Sequence, residues 1–363
     1  MEKVVYLLGA GFSAPLGFPV MSNFIEKSKD LYSQNRQKYE YFERVFTAIN
    51  EMSIAGSYYK ADFFNIEEIL SILEMRRQLD SRETTEFFSR YIIDVIKSFT
   101  PSITTTLSPS KERIAKWQSR IFGGRGLDQI YGYFVASLLH LMFEQRQDTT
   151  ETPYMFKYSC QQLPPDRFLY SVITLNYDLV LETYANHVAT AFAAVNDIGF
   201  SRTLEHGISG PCLAKLHGSV DTGVIVPPTW NKYLHDKISL EWKLAYRLLS
   251  EANHIRIIGY SLPESDAYVR YLLKSAIIDT LNLKSLDVLC RDAYGQVRKR
   301  FDAFMSFPKY RFVEGDVIEY LASIRDSMSG HSYSKNDQFT LEFPEDMHEE
   351  FISKAYDQQH QFR

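Results

Sequence analysis

Hydrophobic positions in this chain follow two different periodicities. Val4, Val5, Tyr6, Leu7 and Leu8 form a continuous apolar run closed by Gly9, Ala10 and Gly11, the pattern of a strand buried on both faces that enters a tight turn. Runs of the same kind recur at 171–175, 212–216, 254–258, 286–290 and 310–313. From residue 240 onward, helix-patterned stretches at 240–252, 266–278, 294–304 and 316–325 separate successive runs. This alternation predicts an α/β fold built on a doubly wound parallel sheet of about six strands.

Between the first run and residue 171 the period changes. Ile66, Ile69, Leu70 and Leu73, and again Tyr91, Ile92, Val95 and Ile96, recur at three- and four-residue spacing, which predicts helices. Breaks fall at Pro101, Pro109 and Gly123-Gly124-Arg125-Gly126. Residues 1–23 and 165–326 are therefore expected to form the sheet domain and 24–164 a helical insertion lobe beside it. Residues 327–363 are expected to form a C-terminal tail, polar at first and then carrying Phe339, Leu341, Phe343 and Phe351 among many charges. Two readings of the tail stay open, an assembly arm and a solvated terminus.

Composition narrows the function classes. With 363 residues, 45% of them hydrophobic and 23% charged, the chain can bury a large core. Forty Lys and Arg against forty-five Asp and Glu leave a formal charge of -5, so no overall basic field draws in nucleic acid, and no direct nucleic-acid partner is expected. The run at 4–8 is too short for a signal segment, and no run approaches the ~20 apolar residues of a membrane span, so a cytoplasmic protein without membrane contact is expected. Cys160, Cys212 and Cys290 stand far apart. They form no CxxC pair and cannot build a disulfide framework or a four-cysteine zinc site, and no HExxH pattern occurs, so no metal is expected.

Four motifs sit where strands are expected to end. Gly9-Ala10-Gly11-Phe12-Ser13 follows the first run; glycines there let the backbone approach a pyrophosphate, although a plain tight turn explains them as well. Asn176-Tyr177-Asp178 closes the run at 171–175, where open α/β sheets place ligand contacts, or where an Asx turn or helix cap is needed. His217-Gly218 closes the run at 212–216, and the glycine leaves one face of the imidazole open. Gly259-Tyr260-Ser261 follows the run at 254–258, with Asp266 placed to cap the next helix.

GAGxS, NxD, HG and GxS in this order resemble the sirtuin fold, specifically the sirtuin-like domains of bacterial anti-phage NAD-degrading systems. The resemblance covers the sheet from Val4 to about Val313 and hardly touches the insertion or the tail. It implies a Rossmann-like NAD-binding domain with NAD as substrate. Gly9, Ala10, Gly11 and Ser13 would lie over the dinucleotide, Asn176 and Asp178 at its nicotinamide end, His217 at the ribose, and Gly259 and Ser261 near the phosphates and distal ribose. The chain departs from protein-deacylating sirtuins in two places. After Gly17-Phe18-Pro19 it continues Val20-Met21-Ser22 without the family's Asp-Phe-Arg, and only Cys290 follows His217, so the four-cysteine zinc module that supports acyl-lysine peptide binding is missing.

The expected activity is therefore an NAD glycohydrolase, with Asn176 and His217 as catalytic residues and Asp178 holding the nicotinamide carboxamide. The alternatives are a sirtuin-type deacylase or ADP-ribosyltransferase, and a sensor that binds NAD or ADP-ribose without turnover. By the same resemblance the chain is expected to act as a homo-oligomer in anti-phage defence, paired with a HerA-type ATPase or an Argonaute-like protein.

Overall fold

The computed structural model describes residues 1–53, 65–80, 85–105, 107–112, 114, 117–123, 125–150, 154–192, 198–203, 210–226, 238–278, 282–330 and 343–360. The chain opens with β1 (Glu2–Leu8) and the short helix α1 (Ala10–Ser13). It continues through α2 (Phe24–Gln34), α3 (Phe42–Ser53), α4 (Ile66–Asp80), α5 (Thr85–Ser98) and α6 (Gly126–Leu138). A hairpin follows, β2 (Leu141–Asp148) and β3 (Met155–Gln162), before β4 (Phe168–Thr174), α7 (Val180–Ala191) and β5 (Leu213–Lys215). The short pair β6 (Gly218–Ser219) and β7 (Val224–Ile225) precedes α8 (Ser239–Ser250), β8 (His254–Ile258), α9 (Ala267–Ile278) and β9 (Ser285–Cys290). The described chain ends with α10 (Gln296–Phe304), β10 (Tyr310–Glu314), α11 (Val317–Gly330) and α12 (Phe343–His360).

Six strands pair in parallel in the order β10-β9-β8-β1-β4-β5. From β1 the chain adds β4 and β5 on one side, then crosses back to add β8, β9 and β10 on the other. This is the doubly wound, Rossmann-like order, and the direction reverses between β1 and β8, where the carboxyl ends of the strands open a crevice. The α/β expectation from the apolar runs is met.

Alternation along β1 separates two cores. Val4, Tyr6 and Leu8 join Tyr131 of α6, Tyr184 of α7, Tyr320 of α11 and Ile352 of α12 on one face. Val5 and Leu7 join Leu248 of α8, Leu273 of α9 and Phe301 of α10 on the other. The first core runs on without a break into Phe42, Ile69, Tyr91 and Val95, so the insertion shares one core with the sheet instead of standing beside it as a separate lobe. α6 is the hinge of this arrangement, packing on β4, α7 and α11.

The insertion also carries strands. β2 and β3 pair antiparallel from Leu141 opposite Gln162 to Asp148 opposite Met155. Their sequences show this only in part: Phe156 to Gln161 of β3 alternates apolar and polar, the period of a half-buried strand, whereas β2 follows Leu141-Met142-Phe143 with the wholly polar Glu144 to Asp148. Lys157 pairs with Asp148 at 2.8 Å across the hairpin. Gly124, one of the expected helix breakers, lies outside the described residues.

The expected tail begins inside α11, and α12 is docked on the body. Ile352 is buried against α11, with Met347, Phe351, Ala355 and Tyr356 packed around it. A chain of buried polar groups lies beneath. Arg256 Nη1 donates to Tyr6 Oη at 2.7 Å, Tyr6 and Tyr320 share a hydrogen bond at 3.1 Å, and Tyr320 Oη meets His348 Nδ1 at 3.0 Å. His348 Nε2 meets Asp287 Oδ2 at 3.0 Å, and Arg311 Nε donates to Asp287 Oδ1 at 2.7 Å. Phe339 and Leu341 lie outside the described residues. Among the described residues no helix is long and apolar enough to cross a membrane.

Candidate active site

The crevice at the switch point is walled by two glycine turns. Gly9 N donates to Ile258 O at 3.1 Å and Gly11 N to Gly259 O at 2.9 Å. Gly259 has φ +65, and a Cβ built on it would stand 2.3 Å from Phe12 N, so only glycine fits this contact between the turns. Gly9, Ala10 and Ser13 line the cavity on the β1 side and Gly259 and Ser261 on the β8 side. Gly11 lies behind the wall, and a side chain there would meet the Gly259 backbone at 2.8 Å.

Asn176 and Asp178 follow β4. Asn176 Nδ2 donates to Gly9 O at 3.0 Å and to Ser13 Oγ at 3.1 Å. Both amide hydrogens are thereby committed to the β1 turn, which leaves Oδ1 as the atom with which Asn176 can accept from a hydroxyl group or a water. The Ser13 hydroxyl bonds in turn to the Asp178 carboxylate. Asp178 also accepts from Val180 N at 3.1 Å, opening α7, so its Asx role and its place on the cavity wall coexist. Burial raises the Asp178 carboxyl above its ordinary range, while the neighbouring Lys215 charge and the Ser13 bond act in the opposite direction. Lys215 is wholly buried, bonding to the Asp178 carbonyl and, at 3.0 Å, to Glu182.

His217 follows β5. Trp242 Nε1 donates to Leu216 O at 3.0 Å, and Val226 N donates to His217 O at 2.9 Å, holding the segment on both sides. Gly218 has φ +90, and a Cβ there would lie 2.1 Å from Val224 O; this close approach to β7, rather than access to the imidazole, explains the glycine.

His217 lies between two carboxylates. Its Nδ1 is 3.8 Å from Glu67 Oε1 and its Nε2 is 3.6 Å from Asp266 Oδ1. The three residues are 1%, 5% and 4% exposed. Tyr260 Oη donates to Asp266 Oδ2 at 3.1 Å, and the Tyr177 ring stands 6.0 Å from the imidazole. Burial, reinforced by the Glu67 and Asp266 charges, pushes the Tyr177 and Tyr260 phenols far above their usual range. Both stay neutral and act only as hydrogen-bonding or apolar walls. The ring and the carboxylates together can accept and relay one proton at the buried end of the crevice.

The roof comes from the insertion. Phe24 of α2, Ile66 and Glu67 of α4 and Ile92 and Ile96 of α5 close over the strand ends, leaving about 110 Å³. An apolar cavity of about 150 Å³ takes one benzene ring, so this space is somewhat smaller than one bound ring needs. Ser261 sits at its rim, and its carbonyl accepts from Arg300 Nε at 3.0 Å.

Asn176, Asp178, His217, Gly259, Ser261 and the β1 turn are thus brought to one place. Two members of the site were not visible as such in the sequence. Asp266 reads as a helix cap, yet its carboxylate faces Tyr260 and His217. Glu67 falls in Phe64-Asn65-Ile66-Glu67-Glu68-Ile69-Leu70, a segment that also resembles the bacterial defence members, but nothing in the sequence placed it beside His217. Among the described residues no group of three or more His, Cys, Asp or Glu side chains is arranged to hold a metal ion.

The fold and this site define a doubly wound α/β protein with a roofed crevice at its switch point. Residues 170–300 match the family model of the SIR2-like domain. That stretch carries Asn176, Asp178, His217, Gly259, Ser261 and Asp266, while the β1 turn and Glu67 lie outside it. No curated protein matches the chain. Among solved structures it is similar to Sir2 bound to acetylated peptide, at 12% identity over 92% of this chain and 94% of that chain with a TM-score of 0.38. It is also similar to a Sir2 complex with p53 peptide and NAD+, at 13% identity over 92% of this chain and 94% of that chain with a TM-score of 0.37.

Proposed function

We propose that this protein is an NAD glycohydrolase that cleaves the bond between nicotinamide and ribose. The observation that carries the reading is the enclosed imidazole of His217 between two carboxylates, placed at the strand ends beside an Asn176 amide anchored on the glycine turn. The SIR2-like match over the same strand ends and the order of the four motifs support NAD as the substrate.

The nicotinamide leaving group is a pyridinium, so heterolysis of the C1′–N1 bond returns the electron pair to the ring nitrogen and releases neutral nicotinamide without prior protonation. What remains is an oxocarbenium-like ribose that water must attack at C1′. Asn176 Oδ1 orients the water and the ribose hydroxyls, and His217 accepts the proton the water loses. Water thus supplies the hydroxyl of ADP-ribose, and one proton passes through His217 to solvent. Asp178 holds the carboxamide. The apolar side chains of the roof give the nicotinamide ring apolar contacts.

The chain has three cysteines, too few for the zinc module of peptide-deacylating relatives, which favours water over an acyl-lysine as acceptor. The same motif order supports a cytoplasmic, homo-oligomeric NAD-depleting component of anti-phage defence that works with a HerA-type ATPase or an Argonaute-like protein. Incubating the purified protein with NAD alone and following nicotinamide tests the reading. Release without any acyl-peptide supports hydrolysis; release that needs an acyl-peptide or protein acceptor supports transfer, and binding without release supports a sensor.

A further inference from the structure

Among the described residues two that are not glycine have a positive φ, His140 at +54 and Leu262 at +50. Histidine is one of the side chains enriched in that region, whereas for a bulky leucine it is an outlier. Leu262 belongs to the turn Gly259-Tyr260-Ser261-Leu262-Pro263 after β8, of which Gly259, Tyr260, Ser261 and Pro263 line the crevice. A strained residue persists only where its surroundings over-determine it, and such residues cluster at ligand sites.

Three restraints hold Leu262. Its side chain is fully buried in the core shared with α8, α9 and α10. Arg270 of α9 donates through Nη2 to Leu262 O at 3.0 Å, and Arg300 of α10 donates through Nε to Ser261 O at 3.0 Å. Two successive carbonyls of the turn are thus each held by a guanidinium from a different helix. Neither arginine lines the crevice, so both oxygens turn toward α9 and α10. The Ser261 N–H and hydroxyl, in contrast, make no hydrogen bond among the described residues. At about 110 Å³ the cavity is smaller than one bound ring needs, so most of a dinucleotide, its two phosphates included, must lie across the rim where Ser261 sits. Phe18, Val20, Met21 and Phe24 give the cavity apolar walls, which offer a phosphate no donor. A pyrophosphate is stabilised by N–H and O–H donors and repelled by carbonyl oxygens.

We propose that Arg270 and Arg300 are positioning residues for the pyrophosphate of the dinucleotide. By holding the Leu262 and Ser261 carbonyls in the strained turn, they keep acceptor oxygens off the rim and leave the Ser261 donors to take the phosphates. The choice of ligand rests on the NAD reading, whereas the clamp itself stands on two hydrogen bonds and one backbone angle. The turn is already strained in the unliganded fold, so binding does not have to rearrange it, and the affinity gained is that of a site set in advance.

The test uses the full chain and the variants Arg270→Met and Arg300→Met, with Arg270→Lys and Arg300→Lys as the variants that keep a charged donor. Calorimetry with ADP-ribose, which carries the pyrophosphate without nicotinamide, reads the rim whether or not the protein cleaves NAD. Each methionine variant is expected to bind ADP-ribose at least about tenfold more weakly, at a temperature where thermal unfolding shows it folded, and each lysine variant to recover part of the loss. Because both arginines act through one turn, the double variant is expected to lose little more than the more impaired single variant. In cleavage the loss appears in KM for NAD with a much smaller change in kcat, and nicotinamide riboside, which has no phosphate, is affected less than NAD. If a methionine variant fails to fold, Arg270→Gln or Arg300→Gln takes its place. ADP-ribose affinity equal to the wild type, or losses that add in full in the double variant, overturn the clamp. Binding by the wild type without nicotinamide release, with the same losses in the variants, supports the clamp and overturns the hydrolase reading. A wild type that binds neither NAD nor ADP-ribose overturns both.

Discussion

Gly11 N donates to the carbonyl of Gly259 at 2.9 Å, tying the turn after β1 to the turn after β8 across the point where the strand order reverses. Gly259→Ala forces a positive φ on a residue with a Cβ and drives that Cβ into Phe12 N. The left-handed strain alone costs about 1–3 kcal/mol, and the clash adds to it. Gly295 has φ +68 with nothing near its missing Cβ, so Gly295→Ala bears only the strain. Thermal unfolding should show Gly259→Ala melting well below Gly295→Ala, with NAD binding lost by calorimetry. Equal melting would mean that the two turns can separate without cost. Gly11→Val should behave like Gly259→Ala, losing stability together with affinity.

Asn176→Ala and His217→Ala should each abolish nicotinamide release, by roughly 10²-fold or more where proton transfer is lost. The two differ in their effect on the fold. His217→Ala leaves the buried carboxylates of Glu67 and Asp266 without the ring between them, so its melting temperature should fall. Asn176→Ala frees Gly9 O and Ser13 Oγ beside a cavity that water can reach and should melt closer to the wild type. Normal turnover by either variant would remove that residue from the reaction.

Acid should loosen the attachment of α12. Burial lowers the His348 pKa from 6.5 to about 4, so the ring is neutral in the fold. It can then donate through Nε2 to Asp287 and accept from Tyr320 at Nδ1. A histidine with a depressed folded pKa contributes its full stability above the unfolded value and loses it as pH falls toward the folded one. At 1.36 kcal/mol per unit, the loss between about pH 6.5 and pH 4 amounts to about 3 kcal/mol. The Asp287 carboxyl is held far below its usual range by His348 and Arg311 despite its burial, so its share is lost only below the unfolded value near ~3.9. Urea unfolding from pH 7.5 to 4 should show the first decline, and hydrogen exchange should place it in α12. In His348→Gln this pH dependence should largely vanish; a wild-type slope in that variant would assign it to other groups.

EDTA should leave NAD cleavage unchanged, since the proposed reaction uses no metal and the three cysteines, all buried, occupy separate places in the chain. Activity lost to EDTA and restored by zinc would contradict this.

Light scattering over a concentration series, with nicotinamide release measured on the same samples, should show activity rising with assembly. Full activity in a strictly monomeric sample would separate turnover from oligomer formation.

The strands of the sheet were legible because parallel strands are buried on both faces and read as unbroken apolar runs. His254–Ile258 coincides with its run, and the others differ by a few residues at their ends. The four strand ends were legible because glycine, asparagine and histidine there break those runs. The β2–β3 hairpin was not: the alternation in β3 is only six residues long, and β2 is an apolar triplet followed by five polar residues, which matches neither period. Nor was the docking of α12. Its attachment depends on Arg256, Asp287 and His348, which satisfy one another only after folding, and a buried ion pair has no periodic signature. Glu67 escaped for a related reason: its partner lies 150 positions away in the chain.

The attachment of α12 also sets a timetable for synthesis. All six strands of the sheet precede α12 in the chain, so Arg256 lacks Glu345 and Asp287 lacks His348 until residues 343–360 are in place. Two charges at the centre of the finished sheet thus wait for the latest helix, so the crevice is assembled on a body that reaches its full stability only when translation has passed that helix. A chain that ends before α12 would therefore carry the strand ends of the crevice on a less stable body.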